Sequence, residues 1–358
     1  MEAKGIKVSI IIPVYNVAPY IGDCLRSVMR QTYQGAMECL IIDDCGTDES
    51  IAVAEGMIRE YNDNTNLNAN LDLDDNNLNV NEGGGIRFRI IRHERNRGLS
   101  AARNTGTFEA VGEYLYYLDS DDEITDDCIE KLMEVVLKNS DIEMVQGGVC
   151  RYLMDGSSEI PGKKIVLPLA SNHEEVRKCF YQYGQIYVNV WNKLLKRSVI
   201  VDNNILCKEG LLFEDNLWIF YLLKYVKRAA FITDITCRHK KRPQSITTST
   251  NNQTMGYHLS IVYHDILNNL TPGYEREECD FYARIIASVY VRDVRMVPEY
   301  KEVLLLCREK CKQYGSLSSR LILTISYILG RYKYGTAIWN GLLWMRRVCR
   351  WASIQGTL

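Results

Sequence analysis

Residues 7–16 read K-V-S-I-I-I-P-V-Y-N. A short β-branched run of this kind fits a strand buried on both faces, and Pro13, which cannot donate to a ladder, is expected to end it. Beyond Tyr15 and Asn16, the apolar residues Ile21, Leu25, Val28 and Met29 recur at helical spacing. The unit then repeats, with an apolar strand at 38–42, a polar loop at 43–48 and a helical stretch at 50–61. This alternation predicts an α/β fold around a mostly parallel sheet. In such sheets ligands collect beyond the carboxyl ends of the strands, where Asn16, Asp43 and Asp44 are expected to lie.

Residues 62–85 interrupt the rhythm with an Asn/Asp-rich tract that cannot bury enough apolar surface to fold, so a flexible insertion is expected. Its carboxylates Asp72, Asp74 and Asp75 lack the Gly and closing Glu of an EF-hand loop. A third strand at 86–91 leads through R-H-E-R-N-R-G into a helix at 100–110 closed by Gly112. A further apolar strand at 113–118 runs straight into Asp119-Ser120-Asp121-Asp122.

Three carboxylates in four residues repel one another and call for a counter-charge. Hard oxygen ligands suit Mg²⁺ or Mn²⁺, which usually keep positions open for phosphate oxygens and water. The plain reading is a solvated turn that caps a helix near Asp126. An apolar strand ending in acid-x-acid also suits a haloacid-dehalogenase-like phosphatase, but Glu123 stands where that motif wants Thr. A dinucleotide-binding dehydrogenase is excluded, because the first strand is followed by P-V-Y-N and not by G-x-G-x-x-G.

The motifs V-S-I-I-I-P-V-Y-N (8–16), S-V-M-R-Q-T (27–32), I-I-D-D-C-G-T-D-E-S (41–50), N-R-G-L-S-A-A-R-N-T-G (96–106) and D-S-D-D (119–122) together resemble family-2 glycosyltransferases. The resemblance covers about residues 7–248 and implies a GT-A fold, Rossmann-like, with its mostly parallel sheet flanked by helices. The expected organisation is a GT-A domain at 1–250, a helical extension at 251–315 and a basic amphipathic tail at 316–358. Cys45 stands where the family generally has Gly, so a small rearrangement of that loop is expected.

By this resemblance Pro13, Tyr15 and Asn16 line a nucleotide pocket, and Asp44 accepts a hydrogen bond from the base. Asp119, Asp121 and Asp122 form the set around Mn²⁺ or Mg²⁺. Within it Asp121 approaches the ribose, Asp122 the metal, and Asp119 shapes the loop. Asn96 and Arg103 flank the sugar nucleotide. Trp191 and Lys193, in V-W-N-K-L (190–194), border donor and acceptor sugars. His239 belongs to a basic loop, C-R-H-K-K-R-P-Q-S-I-T (237–247), expected to close over the diphosphate, although such a run is also what a solvated basic loop looks like.

Transfer with inversion needs one general base beside the acceptor hydroxyl. In L-L-F-E-D-N-L (211–217) the family pattern selects Asp215, with Glu214 as its supporting neighbour. By sequence alone the same pair starts an apolar helix at 217–225 and complements its dipole. The implied activity is metal-dependent, inverting transfer of a hexosyl or N-acetylhexosaminyl group from a nucleoside-diphosphate sugar, UDP-linked by expectation, to a saccharide or lipid-linked acceptor in cell-envelope polysaccharide synthesis. The competing readings are a non-catalytic nucleotide-sugar-binding scaffold and a sugar-phosphate nucleotidyltransferase, whose Gly-rich first loop is missing.

Composition leaves room for this. The chain has 358 residues, 46% hydrophobic and 25% charged, which excludes a disordered or multi-span membrane protein. A net charge of -2 gives no support to a nucleic-acid binder. Twelve scattered cysteines without zinc spacing, and no secretory leader, fit a reduced cytoplasmic chain. His258 and His264, six apart, do not share a helix face. Residues 316–358 hold six basic residues (Arg320, Arg331, Lys333, Arg346, Arg347, Arg350), no acidic ones, and Trp339, Trp344 and Trp351. Peripheral attachment to the inner face of the plasma membrane is one expectation for this tail. A helical cap or a dimer contact is the other. The apolar stretch 321–330 is too short to span a bilayer.

Overall fold

A computed structural model describes residues 6–65, 85–153, 157–159, 164–241, 250–330 and 339–340. Most of the Asn-rich tract, residues 242–247 of the basic segment and most of the tail from 331 onward lie outside the described residues. Two units are delimited, Met1–Ser245 and Ile246–Leu358.

The first unit runs β1 (Val8–Val14), α1 (Ala18–Met29), β2 (Met37–Asp43), α2 (Ser50–Thr65), β3 (Ile86–Arg92), α3 (Leu99–Glu109), β4 (Tyr114–Tyr117), β5 (Glu123–Ile124), α4 (Cys128–Lys138), β6 (Met144–Tyr152), β7 (Ser158–Glu159), β8 (Leu169–Ala170), α5 (His173–Tyr181), β9 (Lys193–Lys196), α6 (Arg197–Asp202), α7 (Asp215–Leu222) and β10 (Ala229–Lys240). The sheet order is β3-β2-β1-β4-β9-β6-β10-β5, with β7 on β6 and β8 on β10. β1 pairs in parallel with β2 and β4, β2 with β3, and β6 with β10. β9 enters antiparallel between β4 and β6. The α/β expectation and its mostly parallel sheet hold.

After β3 the chain crosses back over β1, so the topological switch point falls between β1 and β4. That is where an open α/β sheet places its ligand crevice. The core behind it is dense. Every residue of β1 is buried, and one face packs Ile10, Ile12 and Val14 against Ile21, Leu25 and Val28 of α1. On the other face a Cβ at Gly106 would sit 2.3 Å from Ile11 Cγ2, so only Gly lets α3 approach β1 this closely.

Pro13 does not end the strand as expected. It stays in register with Ile42 of β2. The Ile11 carbonyl accepts from Leu118 and the Val14 carbonyl from Asp44, so alternation turns the Pro13 nitrogen toward β4, which has already ended. The missing donor costs nothing there. α2 also outlasts its expected end at Tyr61 and runs into the first residues assigned to the insertion, through Thr65.

The second unit is helical over its described residues: α8 (Asn252–Asn268), α9 (Glu275–Val289), a π-helical stretch (Tyr290–Val294), α10 (Pro298–Gln313) and α11 (Leu317–Leu329). Asn251 caps α8 by accepting from the Thr254 amide at 2.9 Å. No described helix is long and apolar enough to cross a membrane.

Candidate active site

The floor of the crevice is the loop after β1. Asn16 adopts φ +51°, and its Oδ1 accepts from the Thr47 amide at 2.8 Å. Ser50 Oγ accepts from the Val17 amide and Asp48 Oδ2 from the Ala18 amide, both at 2.8 Å. The loops after β1 and β2 are thus tied side by side at the carboxyl edge of the sheet, with Pro13 buried and Tyr15 exposed above it. Cys45 takes the left-handed conformation itself, at φ +62°. That is a backbone form which Gly adopts without strain.

Asp44 is buried and organises the neighbouring loop. Its Oδ1 accepts from the Arg97 amide at 2.8 Å and from His93 Nδ1 at 2.7 Å, and its Oδ2 from the Gly98 amide at 2.7 Å. His93 Nε2 meets Thr105 Oγ1 at 2.9 Å. Asn96 stands exposed within that loop. Sequence reasoning passed over His93, whose only signal was its place in the loop after the third strand.

At the end of β4, Asp119, Asp121 and Asp122 bring one carboxylate oxygen each within 4.8 Å of one another. A turn sets this up, with the Asp122 amide donating to the Asp119 carbonyl at 3.0 Å. Asp119 and Asp121 are half-buried and Asp122 is buried. Burial, the largest influence, pushes Asp122 up to about 6 against the hydrogen bond and charge of His239. Burial would lower the His239 ring, but Asp122, backed by Asp119 and Asp121, carries it above its ordinary value. His239 Nδ1 donates to both Asp122 oxygens at 3.0 Å, and the Lys240 amide donates to Oδ1 at 3.0 Å. Three hard oxygen donors in mutual reach fit a small divalent cation, and their repulsion is what such a charge would relieve.

Arg103 is buried between two carboxylates. Its Nη2 donates to Asp119 Oδ1 at 2.7 Å and its Nη1 to Glu214 Oε1 at 2.6 Å. Burial opposes its charge, yet Asp119 and Glu214 reverse that effect and hold it firmly protonated. The fork joins the acidic turn to the segment that opens α7. Asn104 makes a second tie, donating to the Cys207 carbonyl at 2.8 Å and accepting from its amide at 2.9 Å.

Asp215 is the first residue of α7, two residues earlier than expected, and the helix closes at Leu222 and not at residue 225. Its Oδ1 accepts from the amide and side chain of Asn216, both at 2.9 Å. Burial raises both Asp215 and Glu214, with Arg103 pulling the other way. The preceding Phe213 sits at φ +61°, and its carbonyl accepts from the Asn216 amide at 3.2 Å and from its side-chain Nδ2 at 3.2 Å.

Lys193 is fully buried in β9, and its ammonium donates to the Asn189 carbonyl at 2.5 Å. The neighbour that sequence reasoning did not select, Asn192, is the structural hub. It donates to the carbonyls of Gly147 and Gly148 at 3.0 and 3.1 Å. It accepts from Tyr116 at 3.0 Å and from Thr236 at 2.7 Å. Trp191 stacks on His239 with ring centroids 5.1 Å apart. Arg238, His239 and Lys240 belong to strand β10 and not to a loop. Arg238 reaches Glu123 at 3.8 Å, while Lys240 pairs with Asp23 at 3.1 Å and also with Glu123.

Comparison with known proteins places this geometry. The family model described as glycosyl transferase family 2 matches residues 9–71 and 72–191, just over half of the chain. An uncharacterized glycosyltransferase of Bacillus subtilis, EpsJ, is 26% identical over 258 residues, spanning 72% of this chain and 67% of the relative. Among solved structures, residues 1–349 of S. aureus TarS in complex with UDP-GlcNAc superpose with a TM-score of 0.67 at 18% identity, covering 90% of this chain and 88% of that one. The mannosyltransferase PcManGT from Pyrobaculum calidifontis, in complex with GDP-Man and Mn²⁺, gives a TM-score of 0.53 at 15% identity, covering 94% and 83%. With the GT-A architecture, the acidic turn at its switch point and a family model spanning half its length, the chain belongs to glycosyl transferase family 2 and is a glycosyltransferase.

Proposed function

We propose that the chain is an inverting, metal-dependent transferase that moves a sugar from a nucleoside-diphosphate donor, a UDP-sugar first, to a hydroxyl of a saccharide or lipid-linked saccharide. The observation that carries this reading is the Arg103 fork, which ties the Asp119 turn to the Glu214-Asp215 segment. One group thereby couples a diphosphate-facing carboxylate cluster to a raised carboxylate suited to proton transfer.

In this reading Tyr15 and Asn16 border the base. Asp44 has used three of the roughly four acceptor positions of a carboxylate and has one left for an imide N-H. Asp119, Asp121 and Asp122 hold Mn²⁺ or Mg²⁺, which when bound neutralises charge on the departing diphosphate. Asp215 accepts the proton of the acceptor hydroxyl as its oxygen bonds to the anomeric carbon. The electron pair of the broken glycosidic bond goes to the diphosphate oxygen, and a single displacement inverts the centre. Arg103 fixes Glu214, the residue before Asp215, Asn216 donates twice to the Asp215 carboxylate, and Trp191 on His239 forms an aromatic wall beside the cluster.

The TarS complex with UDP-GlcNAc and the PcManGT complex with Mn²⁺ support the choice of donor class and metal. The test is a hydrolysis and transfer screen of UDP- and GDP-sugars with Mn²⁺, Mg²⁺ or a chelator. Metal-dependent turnover of at least one donor is expected. Failure of every donor to bind or turn over with either metal would sink the reading.

A further inference from the structure

His93 leaves the sheet where β3 ends. Its amide donates to the Asp43 carbonyl at 2.9 Å, one step beyond the last rung of the β2–β3 ladder, which sets its ring against Asp44. Both side chains are nearly sealed, His93 at 5% and Asp44 at 3% exposed. Nδ1 lies 2.7 Å from Asp44 Oδ1, and Nε2 lies 2.9 Å from Thr105 Oγ1 on α3. A carboxylate only accepts, so Nδ1 carries the proton, and in the neutral ring Nε2 accepts from the Thr105 hydroxyl. The imidazole is thereby held at both nitrogens, between the end of β2 and the flank of α3.

The acceptor positions of Asp44 can be followed one by one. Each carboxylate oxygen has about two. Oδ1 receives His93 and the Arg97 amide and is full, whereas Oδ2 receives the Gly98 amide and keeps one position open. An edge that offers one acceptor and no donor matches a pyrimidine whose ring nitrogen carries hydrogen, as in uracil. It opposes cytosine, whose ring nitrogen would meet it lone pair to lone pair and stay unpaired. Without the imidazole a second acceptor position opens on Oδ1, and the space left behind admits water. A water bound there could donate to the bare nitrogen of cytosine and erase the difference. What His93 supplies is therefore exclusion of a second position, while the two loop amides alone suffice to anchor the carboxylate.

We propose that His93 is a positioning residue that sets base selectivity in the donor pocket, by filling Asp44 Oδ1 so that the carboxylate presents a single acceptor to the base. This rests on the reading of Asp44 as the base-facing carboxylate. UDP and CDP differ at this ring edge and share their diphosphate, so both would be titrated into the full chain with Mn²⁺ by calorimetry. The wild type is expected to bind UDP about 10²-fold more tightly than CDP. His93→Ala is expected to lower that ratio about tenfold, and His93→Asn, whose amide donates from about the place of Nδ1, to keep it within about threefold of wild type. Thr105→Val leaves both His93 and Asp44 in place and is expected to lower the ratio about threefold, which supplies a reading should His93→Ala fail to fold. A role in stability alone would weaken both nucleotides together and leave the ratio as it was. That outcome, or an Asn variant no more selective than the Ala variant, would overturn the inference. Asp44→Asn checks the reading beneath it: if that variant keeps the wild-type ratio, or the wild type has none, Asp44 does not read the base and both fall. If Asp44→Asn loses the ratio while His93→Ala keeps it, only the role of His93 falls.

Discussion

Arg103 and Glu214 meet at 2.6 Å across 111 residues of sequence. The same guanidinium holds Asp119 at 2.7 Å, so a buried cation stands between two carboxylates that would otherwise repel. Removing one partner of such a set leaves an uncompensated buried charge. Arg103→Met is expected to destabilise the fold by about 3–5 kcal/mol in urea unfolding. Arg103→Lys keeps the charge but loses the two-pronged geometry and should fall in between. A midpoint unchanged in Arg103→Met would show that the fork carries no strain-bearing role.

Asp215→Asn keeps the shape of the side chain and removes its basicity. Turnover is expected to fall about 10²–10⁴-fold. Donor affinity by calorimetry should stay at the wild-type value. Loss of donor binding in parallel with turnover would reassign Asp215 to the donor pocket.

Burial raises Asp215 and Glu214 above the ordinary carboxylate range. A base works only when ionised, so the acidic limb of kcat is expected to lie above about 3.9. These two groups hold their protons to higher pH in the folded chain than in the unfolded one, so their contribution to stability declines as pH rises through that window while activity climbs. A kcat profile flat down to the ordinary carboxylate range would contradict this.

The acidic turn gives a metal prediction. Asp121→Asn is expected to weaken Mn²⁺-assisted donor binding while leaving the unfolding midpoint within about 0.5 kcal/mol of wild type, because Asp121 is only half-buried. A chelator should reduce wild-type binding to the level of the variant. Equal donor binding with and without chelator would exclude a metal role for the cluster.

Cys45 at φ +62° bears the cost of a side chain in the left-handed region, about 1–2 kcal/mol. Cys45→Gly relieves it but gives back part through the freer unfolded chain. A net gain of about 0.5–1 kcal/mol in unfolding free energy is expected. A loss of stability would mean that the bond from its amide to Asp43 Oδ1, at 3.0 Å, depends on the side chain.

What could be read from sequence was local. The strands of the first half are short and rich in apolar, β-branched residues and declare themselves, as do the three aspartates after Leu118, whose mutual repulsion is visible in four letters. What could not be read depends on partners brought together by topology. The pairing of Arg103 with Asp119 and Glu214, the latter 111 residues away, is one such case. The burial of Lys193 in β9 is not visible in its letter, and Asn192 looks ordinary until three strands, β4, β6 and β10, present their polar groups to its amide. Arg238 to Lys240 suggested a loop because basic runs usually do, but pairing with β6 and with Glu123 of β5 draws them into a strand.

The antiparallel wedge of β9 has a bearing on how the chain must be made. β4 gains its second neighbour from residues 193–196, and β6 shares that neighbour. During synthesis the first half can assemble β1 to β4 yet must present a naked, apolar strand margin until some eighty further residues have emerged. Truncations that stop short of β9 are therefore expected to precipitate even though the motifs at 8–16, 41–50, 96–106 and 119–122 are all present. A late strand, inserted between two earlier ones, is what closes that margin.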